Sequence, residues 1–388
     1  MFSYPTPFTP PTTEDDRLSW LRLIRSRRVG VATFYRLIGE HGSARAALIA
    51  LPELARAAGI EKYESCPEGV ARAELKAARQ AGARMICRGA PDYPAALAQI
   101  ADPPPLLWAI GDPGLLDRPM AALVGARNAS SLGLRMARKL AEGLAAAGVT
   151  VVSGLARGID TAAHLAALPG GTVAVMAGGA DVVYPAENAQ LAADIARRGL
   201  CLSEQPMGLE PQARHFPLRN RIIAGLAQAV VVVEAAGQSG SLITARLALE
   251  QGRDVLAVPG HPFDGRASGC NMLIRDGATL VRGAEDVLTA LALAPGPAAA
   301  ARPPAAAAAP PPAPPPAPES PARGWRDAAR LHQLILDRLG PSPLAEDQLL
   351  RDLALSPAEA APELLALELD GLIRRAPGGL LARNLTGR

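Results

Sequence analysis

Between residues 120 and 281 the chain repeats one pattern. A short apolar run ends in a Gly- or Ser-rich loop, and the loop opens an Ala-rich amphipathic stretch. The runs are MAALVG (120–125), VTVVSG (149–154), TVAVMAG (172–178), LCLSE (200–204), AVVVVEA (229–235), DVLAVPG (254–260) and a short ATLV (278–281) expected at an edge. Runs this continuously apolar predict strands covered on both faces, and the helical stretches between them predict right-handed parallel crossovers. The expected fold is therefore α/β, an extended Rossmann-type doubly wound parallel sheet.

The pattern changes on either side. Residues 1–13 are Pro-rich and are expected to be disordered. Residues 14–82 read as short helices with Gly-containing turns, a small helical domain of SAM or helix-hairpin-helix type; a packed accessory module without ligand accounts for it as well. Residues 83–292 form the Rossmann-like unit, and 293–324, almost all Pro and Ala, read as a linker. From 325 to 388 three helical stretches and a PGG turn give the layout of a winged-helix-like domain, with Ser356 as N-cap of the third helix. That helix, APELLALELD, is acidic, which suits a protein contact at least as well as a DNA groove.

Composition removes several classes. The 388 residues hold four widely spaced cysteines with no CxxC pair or Cys/His cluster, which excludes a zinc site and a disulfide framework and favours a cytoplasmic chain. No membrane span is expected, and the first residues lack the basic and apolar regions of a signal peptide. The net charge of +3 carries no general polyanion signal, so any such signal must be local.

In a parallel sheet the ligand sits beyond the carboxyl ends of the strands. The loops there carry Gly125 and Arg127, Ser153 and Gly154, Arg157, and Gly240, Ser241 and Thr244, whose amides, hydroxyls and guanidinium groups suit an anion. No GxxxxGK[ST] is present, and neither GxGxxG nor a ribose-holding acid follows the first strands, so no nucleotide cofactor is expected. The segment PQARHFPLRNRIIAGLA (211–227) places Arg214, Arg219 and Arg221 beside Phe216 and Asn220 with no acidic residue between Glu210 and Glu234. Basic groups around one aromatic suit single-stranded nucleic acid. A structural reading stays open, with Arg219 and Asn220 orienting loops internally. Asp160 reads as a helix N-cap and His164 as a packed neighbour; no nucleophile elbow is found, so no catalytic residue or metal ligand is assigned.

The segments VGARNASSLG, VVSGLARGIDTAAH, FPLRNRIIAGLA, VVVEAAGQSGSLITARLALEQGRDVLAVPG and GCNMLIRDGA together resemble the DNA-processing protein A (DprA, or Smf) family. The resemblance implies a non-enzymatic, homodimeric single-stranded DNA-binding protein that protects incoming DNA and loads the RecA recombinase in natural transformation. It also implies a basic pocket at Arg127 and Arg214–Phe216. Where that family usually has Gly-Ser-Arg, this chain has Gly125-Ala126-Arg127, which removes one hydroxyl. The alternative is a nucleotide-binding enzyme of the phosphoribohydrolase type, on a similar sheet, with Glu234 as its carboxylate; GQSGSLITARLALE lacks that family's PGG turn and GTxxE spacing.

Overall fold

The computed structural model describes residues 9–293, 325–340, 342–376 and 379–384. The expected spacer and all but one residue of the PGG turn lie outside them, as do the first eight residues. Nine strands form the central sheet: β1 (Arg84–Cys87), β2 (Leu106–Gly111), β3 (Met120–Val124), β4 (Thr150–Ser153), β5 (Thr172–Val175), β6 (Leu200–Ser203), β7 (Ala229–Val232), β8 (Asp254–Ala257) and β9 (Thr279–Leu280). Their spatial order is β1-β2-β6-β5-β4-β3-β7-β8-β9.

All seven runs expected from the alternation are strands, and they are parallel from β6 to β9. Two strands were not expected. β1 and β2 extend the sheet antiparallel beyond β6. An antiparallel neighbour needs no helical crossover, so the strand–loop–helix rhythm does not reach them.

Before the sheet come α1 (Glu14–Arg25), α2 (Val31–His41), α3 (Ala44–Ala57) and α4 (Glu68–Gln80), and α5 (Ala95–Ala98) lies between β1 and β2. Thr13 and Asp16 form a reciprocal capping box on α1, and Ser43 caps α3, so both starts are dictated locally. Phe34, Leu21, Leu23 and Leu37 are fully buried among these helices. The module is fastened to the sheet by Trp108 of β2, whose indole donates to Glu74 Oε1 at 2.8 Å.

The crossover helices are α6 (Ser131–Ala146), α7 (Ile159–Ala167), α8 (Ala189–Arg198), α9 (His215–Leu226), α10 (Ser241–Glu250) and α11 (Ser268–Arg275), and α12 (Ala284–Ala290) follows the last strand. One apolar layer joins the sheet to α9, α10 and α11 through residues such as Ile222, Ala245 and Cys270. Another joins it to α6, α7 and α12 through Leu140, Ala163 and Val287. Strand order runs outward from β3 in both directions, so β3 and β7 flank a topological switch point, where a doubly wound sheet opens its crevice.

The C-terminal unit holds α13 (Trp325–Arg338), α14 (Glu346–Leu353), α15 (Pro357–Leu369) and a small sheet ordered β10 (Leu344–Ala345), β12 (Leu380–Arg383), β11 (Ile373–Ala376). Ser356 caps α15 in a box with Glu359, as its position suggests. The unit rests on the rim of the main sheet. Arg338 Nη1 donates to Ala129 O at 2.6 Å, and Arg266 donates to the carbonyls of Asp337 and Leu339, at the C-terminal end of α13. Cations at a helix C-terminus are favoured by its dipole.

Candidate nucleic-acid interface

A cavity of about 880 Å³ opens at the switch point. Its wall includes Gly125 and Arg127 after β3, Phe216, Arg219 and Asn220 of α9, and Gly240, Ser241 and Thr244 at the start of α10. The far side is closed by Phe263 and Arg266 and by Asp337, Gly340 and Arg383 of the C-terminal unit. Eight of the thirteen residues singled out in the sequence thus meet here.

Tight backbone contacts explain the loop chemistry. A Cβ at Gly125 would lie 2.6 Å from Ile159 Cγ1 and 2.9 Å from Glu234 O, so the chain after β3 can cross the sheet end only as glycine. The adjacent Ala126 N donates to Glu234 O at 2.7 Å, which spends that amide inside the protein. The side chain of Arg127 is left exposed, its guanidinium 5.3 Å from the centroid of the Phe216 ring. Tyr184 meets the same ring edge-on at 5.7 Å.

Arg219 is only 6% exposed. Its Nη1 donates to Val175 O at 3.0 Å, its Nε has no hydrogen-bond partner, and its carbon Cζ lies 6.0 Å from the Phe216 centroid. Burial pulls this guanidinium down to about 10, with Asp160 opposing the fall and Arg127 adding to it. Arg219 therefore remains a cation at neutral pH. Two guanidinium groups that repel each other beside one aromatic ring are chemically suited to an anion.

Gly154 serves that arrangement. A Cβ there would lie 1.5 Å from Arg219 Nη1, so only glycine leaves the guanidinium its place.

The remaining expected residues are placed elsewhere. Ser153 is fully buried and donates its hydroxyl to Leu123 O at 2.6 Å, while Gly154 N donates to Asp160 Oδ2 at 3.1 Å. The phosphate cradle expected at Ser153–Gly154 is thus already filled by the protein's own acceptors. Asp160 occupies the second position of α7 rather than its N-cap, which is Gly158, and it also accepts from Ala156 N. His164 is fully buried between Leu155 N and the Thr172 hydroxyl, and burial pulls it down to about 3. Arg157 is exposed outside the cavity, 3.6 Å from Glu187 Oε1. Arg214 is exposed at the head of α9, its Nε donating to His215 Nε2 at 3.3 Å.

Arg221 corrects the expectation of a phosphate contact. It points from α9 toward the segments before β2 and after β6, where it donates to Glu204 Oε2 and to Asp102 O and lies 3.3 Å from Asp102 Oδ2. Its charge is consumed there.

Two residues of the cavity wall, Phe263 and Arg266, and Tyr184 against the Phe216 ring escaped the sequence reading. Phe263 is 78% exposed in a polar loop, and the rule that singled out Phe216 applies to it equally. Tyr184 could be found the same way, as an aromatic at the end of the loop after β5. Arg266 carried no such signal, because its place depends on the docked C-terminal unit.

Glu234 ends β7, but its carboxylate turns away from this cavity. Oε1 accepts from Ser130 N at 2.8 Å, Oε2 accepts from the Ser130 hydroxyl, and the group lines a separate crevice beneath α6. A Cβ on Gly133 would lie 2.6 Å from Oε2, so the carboxylate is held tightly under the helix.

Comparison with known proteins covers all three units. The family model for DNA recombination-mediator protein A matches residues 84–292, that for the DprA-like N-terminal HHH domain residues 14–77, and that for the DprA winged helix domain residues 296–379. Protein Smf of Escherichia coli is 37% identical over 327 residues, 82% of this chain and 82% of the relative. The crystal structure of DNA processing protein A from Streptococcus pneumoniae superposes with a TM-score of 0.54 and 43% identity, covering 57% of this chain and 77% of that one. A Helicobacter pylori DNA processing protein A structure, concerned with that protein's single-stranded DNA binding mode, gives 0.50 and 30% over 54% of this chain and 95% of that one.

Proposed function

Since the chain belongs to the DNA recombination-mediator protein A family, we propose that it binds single-stranded DNA in the switch-point cavity and acts without catalytic turnover. The observation that carries this reading is the Phe216 ring with Arg127 and Arg219 beside it, the latter with an unpartnered Nε. A base stacks on the ring while the two cations hold its phosphates, and stacking of this kind is worth about 1–3 kcal/mol per base. Arg214 and Arg157, exposed beyond the cavity, extend the path of the strand, and Asn220, Ser241 and Thr244 supply polar contacts.

In this reading the protein is a cytoplasmic homodimer that protects incoming DNA in natural transformation and hands it to the RecA recombinase. Among the described residues no helix is long and apolar enough to cross a membrane. The engagement of Glu234 by Ser130 favours binding over the hydrolytic alternative, because the carboxylate that hydrolysis would use faces another crevice.

The test is a titration of fluorescent single- and double-stranded oligonucleotides at two salt concentrations. Three to four neutralised phosphates give a log–log slope near −2 to −3 for the single strand, from about 0.7 per phosphate. A flat salt dependence, or preference for duplex, would falsify the reading.

A further inference from the structure

We propose that the floor of the cavity seats a terminal phosphomonoester, so that the protein recognises a phosphorylated strand end in preference to the interior of a strand. This rests on the single-strand reading above and names the part of the strand that enters deepest.

Arg219 is the first reason. It is a cation more than nine-tenths buried, and its Nε reaches no partner among the described residues. Such a group is costly to keep unless an anion completes it. Its nearby acid, Asp160, offsets only part of that charge: it stands beyond ion-pair distance and its Oδ2 already accepts from the amides of Gly154 and Ala156. The same cavity is lined by Gly240, Ser241 and Thr244 at the start of α10, a ten-residue helix whose N-cap, Gly240, has no side chain and whose first amide is held only by a long 3.4 Å bond to the Ser239 hydroxyl. Buried cation and helix N-terminus point at one volume.

Access is the second reason. Arg219 is walled by Gly154, with no room there even for a methyl group, and by the end of β5 at Val175 O. An interior phosphodiester carries chain on both sides and would have to double back to reach it. A phosphate attached on one side only can enter. At about 880 Å³ the cavity is of the size that holds a nucleotide rather than a long strand.

Charge is the third. A monoester carries roughly −1.5 to −2 at neutral pH, whereas a diester carries a single charge. Arg127 and Arg219 repel each other beside Phe216, so the more highly charged anion gains more from joining them. A terminal base stacked on Phe216 places its own phosphate between the two.

The experiment measures binding of the full chain to four oligothymidylates of equal length: 5′-phosphorylated, 3′-phosphorylated, hydroxyl-ended, and circular. The expected result is about tenfold tighter binding of one phosphorylated form, consistent with one added charge-assisted contact. Which form gains identifies the end. In Arg219→Gln the four ligands converge. Independently of that variant, thymidine monophosphate displaces labelled oligonucleotide from the unaltered protein and thymidine does not. Equal binding of all four by the unaltered protein overturns the end-recognition proposal while leaving the single-strand reading in place. Binding of none of them overturns both.

Discussion

Arg219 and Arg221 lie two residues apart on α9, and they do opposite things. Arg219 lines the cavity and makes no contact ion pair among the described residues, while Arg221 faces away from it and is neutralised by Glu204 and Asp102. Arg219 is 6% exposed and Arg221 5%, so both arginines are buried. Burial alone therefore does not separate a structural arginine from a binding one. What separates them is whether an acid reaches contact with the charge. Arg221 pairs directly with Glu204 and Asp102, whereas Asp160 offsets Arg219 only from beyond ion-pair distance, leaving an aromatic ring beside that guanidinium.

The contrast can be broken most forcefully at Arg221. Arg221→Ala leaves Glu204 buried without its partner and should cost about 3–5 kcal/mol of stability. Thermal unfolding checks this; loss of DNA affinity with no fall in melting temperature would mean the two arginines share one role. Next comes Gly154→Ala, whose added methyl can be accommodated only by moving the Arg219 guanidinium. Single-strand affinity should fall about 10- to 100-fold, the range of a lost charged hydrogen bond, with the melting temperature nearly kept. An unchanged affinity would remove Arg219 from the site.

Phe216→Ala should cost about 1–3 kcal/mol of binding through the lost stack, read by anisotropy on an oligothymidylate. Arg127→Ala should weaken binding to all sequences alike and reduce the salt slope by about 0.7; a change in base preference instead would assign it to direct readout. The smallest effect is expected at Arg157, whose exposed pair with Glu187 is worth less than about 1 kcal/mol to the fold. Arg157→Ala should leave stability unchanged and lower affinity only for strands long enough to leave the cavity.

Much of this molecule was readable before folding. Seven strands followed from apolar runs closed by small residues, and the cap at Ser356 followed from local chemistry, whereas Asp160 is not the N-cap its position suggested. Phe216 stood out as an aromatic among basic residues. β1 and β2 did not stand out, because RMIC and LLWAIG join the sheet by antiparallel pairing without the crossover helices that marked the rest. Phe263 and Tyr184 were within reach of the same composition rule and were passed over. Ser153 and Gly154 looked like a ligand cradle because small residues after a strand serve two purposes, close approach of a ligand and close approach of the protein to itself. Here they serve the second.

Local pattern, then, determined the sheet, its crossover helices and the edge at which a ligand must sit, since strand periodicity and turn chemistry act over a few residues. It also determined that Arg219 and Arg221 could not face the same way, because two residues on a helix turn through roughly 200°. Only the tertiary structure decided which of them lined the cavity. That choice was made by Asp102 and Glu204, contributed from distant parts of the chain, and a charge is committed or left available by neighbours that sequence spacing does not reveal.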